Sequence, residues 1–63
     1  MRIMNTEIPK DPVMLLSFVN MKLRDYYPTL EAMCEDLNID ATELSAQLAV
    51  IDYHYDAEHN KFV

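Results

Sequence analysis

The chain has 63 residues, a formal net charge of −6 from eleven acids against five Lys and Arg, one cysteine and no glycine. That length fits one small domain, a lone cysteine rules out a disulfide within the chain, and the acidic balance disfavours phosphate backbones and anionic membranes. No apolar run nears the roughly 18 residues of a membrane span and the N-terminus lacks a signal-peptide pattern, so no membrane association and a cytoplasmic location are expected. Residues 1–10, "MRIMNTEIPK", show no period and read as an N-terminal arm, with Ile3, Met4 and Ile8 docking on the domain or forming a short edge strand. The domain proper is expected over 11–63.

The first helix should start at Asp11-Pro12. Asp11 can accept from orphan N–H groups, and proline at the first helical position already holds the required φ. The pattern "VMLLSFVNMKLRDY" continues it, and Pro28 disfavours helical geometry at Tyr27. Leu15, Leu16, Val19, Leu23 and Tyr26 share one broad stripe. A second stripe, Met14, Phe18 and Met21, lies on another flank, and Ser17, Asn20 and Arg24 form the polar strip. A helix this apolar is either central or carries a partner surface.

The second helix is expected over "LEAMCEDL", capped by Thr29, with Leu30, Met33, Cys34 and Leu37 at i, i+3, i+4, i+7. Cys34 on that face reads as a small core residue. Asn38 suits a left-handed helix end. Asp40 and Glu43 form an acidic capping box for a third helix, which places Ala41, Leu44, Leu48 and Ile51 on one face. Asp52 is a second left-handed candidate. In the tail, Tyr53, Tyr55 and Phe62 favour strands around a five-residue polar loop, "DAEHN", and a two-stranded ribbon must pack on the helices to persist. The expected fold is mainly α: three helices, the last two in helix-turn-helix arrangement, closed by a short C-terminal β-hairpin.

Three blocks of the chain, "PKDPVMLLSFVNMKLRD", "CEDLNID" and "YHYDAEHNKF", resemble a family of short bacterial proteins, the domain of unknown function numbered 4250. The resemblance covers nearly the whole chain and implies a bacterial source and a common fold. It carries over no activity and no catalytic residue. Asp52 departs from it, since glycine is the expected residue before the Tyr-x-Tyr-Asp segment.

Function is constrained by charge. The spacing of Leu30, Cys34, Leu37, Asn38, Ile39, Leu44 and Leu48 fits a helix-turn-helix, but a DNA reader needs Arg or Lys for phosphates and base edges. Between Asp25 and Asn60 there is neither, and nine acids fall in that span. A weaker route, a degenerate winged-helix-like nucleic-acid binder, would use Arg2, Lys10, Lys22 and Arg24. Lys22 and Arg24 project about 160° apart on an ideal helix, however, and pairing of Arg24 with a carboxylate and of the Lys22 stem with Phe18 is the simpler reading.

"DYHYDAEH" offers weak metal candidates, His54, Asp56 and His59, with Asp52 and Glu58 nearby. Alternation along a strand would set Asp52, His54 and Asp56 on one face, yet the spacing matches no strong motif. No glycine-rich loop or nucleophile–base pair points to catalysis, so neither an enzyme nor a cofactor is expected. What remains is interaction. The Met14, Phe18, Met21 stripe is either core beneath the hairpin or the docking face of a non-catalytic protein-interaction module. A homodimer through the first helix is its simplest form.

Overall fold

The computed structural model describes residues 8–63. Arg2, Ile3 and Met4 of the arm lie outside them. In chain order the elements are α1 (Pro12–Asp25), α2 (Leu30–Leu37), α3 (Ala41–Ala49), β1 (Tyr55–Asp56) and β2 (Lys61–Phe62). The mainly α fold with a C-terminal hairpin is the one the patterning led us to expect.

Each helix is bounded by residues that the local chain supplies. Asp11 caps α1 by accepting from Met14 N, Thr29 caps α2 by accepting from Ala32 N, and Asp40 caps α3 by accepting from Thr42 N and Glu43 N. Of the Asp40–Glu43 box, only the Asp40 half is formed among the described hydrogen bonds. A chain without glycine must make left-handed turns from other residues, and Asn38, Asp52 and Asn60 do so at φ 59°, 66° and 54°. At the end of α3, Tyr53 N donates to Leu48 O and Asp52 N to Ala49 O, the two-bond pattern that a left-handed residue makes possible. Ile51 therefore sits in the closing turn rather than in α3, and is half-buried against the core.

The core takes Leu15, Val19 and Leu23 from α1, Leu30, Met33 and Cys34 from α2, Leu44 and Leu48 from α3, and Phe62 from β2. Phe62 is 2% exposed, and burying such a ring contributes on the order of 1.5–3 kcal/mol. One short strand thus closes the open side of the helical layer. The Tyr26 position is a correction to the broad α1 stripe. It is 66% exposed, because the chain leaves helical geometry there (φ −128°, ψ −26°) and turns the ring outward.

The hairpin is antiparallel, with Tyr55 opposite Phe62 and Asp56 opposite Lys61. His54 and Val63 extend the pairing by exchanging two backbone bonds of 2.9 Å. The expected five-residue loop is one residue shorter, Ala57–Asn60, because Asp56 pairs within β1. Tyr55 and Phe62 stack at a tilt, ring centroids 5.5 Å apart, on the face turned to the helices.

Candidate functional site

Asn20, read from sequence as part of a polar strip, spends its amide on β2: Phe62 N donates to its Oδ1 at 2.8 Å and its Nδ2 donates to Phe62 O at 3.2 Å. The side chain thereby acts as a one-residue strand beside β2, satisfying backbone groups at an edge that would otherwise stay open. Asn60 does the same for the end of α1. Its Nδ2 donates to Leu23 O at 3.1 Å and to Tyr27 O at 2.9 Å, while its Oδ1 accepts from the Tyr55 hydroxyl at 2.7 Å. That hydroxyl in turn accepts from Leu30 N, at the start of α2, at 3.2 Å. One asparagine and one tyrosine therefore join α1, α2 and the hairpin.

These docking roles were not legible beforehand. Asn60 looked like an ordinary loop residue and Tyr55 like a strand former. The available signal was an asparagine at the end of a polar loop in a chain lacking glycine, where left-handed geometry is needed.

With the hairpin docked on the Asn20 flank, the Met14, Phe18, Met21 stripe is not its packing face, and only Met21 borders it across a groove. Its members divide. Phe18 is half-buried and packs against the core, whereas Met14 and Met21 are 62% and 37% exposed. Helical geometry sets both methionines about 150° around the axis from the fully buried Val19. Val13, on an adjoining flank, is 61% exposed. An open groove of about 700 Å³ runs between α1 and the hairpin loop, with Asn20, Met21, Arg24, His59 and Lys61 along it.

The two bases of α1 are each engaged locally. Arg24 is held in a two-bond pair with Asp25 (2.9 and 3.0 Å), which raises the guanidinium pKa and lowers that of the carboxyl. The Lys22 ammonium lies 5.6 Å from the Phe18 ring centroid and 4.8 Å from that of Tyr26. Of the outer α3 residues, Thr42, Glu43, Ala46, Gln47 and Ala49 are exposed and Ser45 is half-buried. None could contact a phosphate as a cation.

The hairpin histidines separate. Asp52 is not part of a strand, so the one-face arrangement of Asp52, His54 and Asp56 does not form. His54 Nε2 sits 3.4 Å from Asp52 at one end, and His59 Nδ1 sits 2.7 Å from Asp56 Oδ2 at the other. Asp56 Oδ1 also accepts from Glu58 N at 3.0 Å, and these contacts, His59 foremost, hold the Asp56 carboxyl below the usual range. Asp56, Glu58 and His59 bring one ligand atom each to within 4.8 Å of one another. The grouping admits Glu58 and leaves out His54.

Cys34 is a free, buried thiol, and its burial pushes the pKa up, away from the reactive thiolate. Tyr27 donates its hydroxyl proton to Asp36, tying the turn after α1 to α2 and raising the phenol pKa.

Fold and surface together define a small, mainly α domain of three helices closed by a C-terminal hairpin. Its sequence matches Domain of unknown function (DUF4250) over residues 9–62, and the chain belongs to that family. No curated protein and no solved structure matches it. No helix among the described residues is long and apolar enough to cross a membrane.

Proposed function

We propose that this protein is a non-catalytic interaction module that docks through the outer face of α1, and that its occupant is a second copy of the chain. The observation that carries the reading is the exposure of Met14 and Met21 on the side of α1 turned away from the core. Methionines suit such a face, because their unbranched, polarizable side chains adapt to the shape opposite. A domain of this size buries just enough apolar area to offset the entropy of ordering its chain, and small domains commonly gain a staple. With no disulfide available, association supplies it.

Charge favours the second copy. α1 has the acid Asp11 at its N-terminal cap and the bases Lys22 and Arg24 in its last turn. Two such helices packed antiparallel about a two-fold axis bring the Asp11 cap of each toward the Lys22 end of the other, Arg24 being already paired with Asp25, and their dipoles oppose. The exposed apolar area is modest, so the pair is of the transient kind.

Sedimentation velocity over a concentration series tests this. The expected result is a mass that rises with concentration for the natural chain and stays monomeric for Met14→Glu/Met21→Glu. Both positions are exposed, so the fold survives the change. Phe18 is a poor probe, because an acid there would also disturb the core. A monomeric mass at every concentration overturns self-association.

A further inference from the structure

We infer that the hairpin loop is a divalent transition-metal site, with Asp56, Glu58 and His59 as its ligands, independent of any role for α1. The candidate ligand atoms, one from each residue, lie within 4.8 Å of one another. A tetrahedral ion with bonds of about 2.0–2.2 Å needs its ligands about 3.3–3.6 Å apart, so the half-buried Asp56 and the exposed Glu58 and His59 must draw together on binding. One imidazole nitrogen and two carboxylates form a borderline donor set that favours zinc, nickel or copper. Calcium and magnesium want six or more oxygens and an octahedral or larger shell.

The loop is held from both sides. Asp56 is paired in β1, and Asn60 donates to the carbonyls of Leu23 and Tyr27, so the three ligands span a turn anchored at both ends. His59 Nδ1 now donates to Asp56 Oδ2, because an ionised carboxylate is an acceptor only. A metal at Nδ1 takes the place of that proton. If the ring is neutral, its proton resides on Nε2 in the complex and none is released; if the ring is an imidazolium, one proton leaves to solvent. Water completes the fourth position. The other histidine, His54, sits with Asp52 outside the cluster and supplies an internal control.

The experiment is a titration of the full, untagged chain with zinc chloride, followed by amide and imidazole NMR shifts and by calorimetry. Saturable shifts at one equivalent, centred on Asp56, Glu58 and His59, are expected. His59→Gln should abolish them, Glu58→Gln should weaken binding about tenfold or more, and His54→Gln should leave it unchanged. The three substituted side chains are exposed, and circular dichroism is the check that each variant folds. The inference is overturned by an absence of saturable shifts, by shifts centred on Asp52 and His54, by an unchanged response in His59→Gln, or by the same response to magnesium.

Discussion

Replacing Asn60 by alanine removes three hydrogen bonds at once, those to Leu23 O, Tyr27 O and the Tyr55 hydroxyl. At about 1 kcal/mol each, the loss is about 3 kcal/mol. Alanine must also hold φ near 54°, where a Cβ without a locally bonding side chain costs about 1–2 kcal/mol. The whole domain is expected to have about 3–9 kcal/mol of stability at roughly 0.05–0.15 kcal/mol per residue, so Asn60→Ala should consume half of it or more. Glycine separates the two effects, since it loses the same bonds but accepts the backbone angle. Its stability should fall between that of the natural chain and that of the alanine variant. Asn60→Asp turns a carboxylate toward two carbonyl oxygens and should recover part of its loss on acidification, as the new carboxyl regains a proton to donate. Urea denaturation followed by far-UV circular dichroism measures all four proteins. An alanine variant within about 1 kcal/mol of the natural chain, or a glycine variant less stable than alanine, would refute the reasoning.

Asn20→Ala should cost about 2 kcal/mol through its two bonds to Phe62, and native-state hydrogen exchange should show the Phe62 amide losing protection before the core of α1 does. Asp52→Gly should stabilise the chain by up to about 1 kcal/mol, because φ 66° is free of strain for glycine, whereas Asp52→Ala should destabilise it; thermal denaturation ranks the three. Folding holds the Asp56 carboxyl below its unfolded pKa, so its contribution is present above the ordinary carboxylate range and is lost as pH falls through the folded value. The stability difference between the natural chain and His59→Gln should therefore shrink on acidification. Folding raises the Cys34 pKa, so that contribution works in the opposite sense, fading as pH rises beyond the ordinary thiol range, and alkylation of the native protein should be slow until denaturant is added.

The sequence by itself determined the three helices and where they start. Asp11, Thr29 and Asp40 cap N-termini by bonding to groups two or three residues away, and Asn38 and Asp52 turn left-handed because no glycine was available to do so. Such features depend on neighbours within one helical turn, so the residue order suffices to locate them. The buried faces of α2 and α3 follow from the same local spacing, and the acidic outer surface follows from composition alone.

Tertiary structure decided which flank of α1 is covered. Two apolar stripes and a polar strip compete for that position on the helix. The outcome rests on Asn20, whose partner Phe62 is 42 residues further along the chain, and on Asn60, whose carbonyl acceptors are 37 and 33 residues back. An asparagine amide looks the same in sequence whether it meets water or a distant backbone. Only when the hairpin folds over α1 do those two side chains find their partners, leaving Met14 and Met21 exposed and separating His59 from His54.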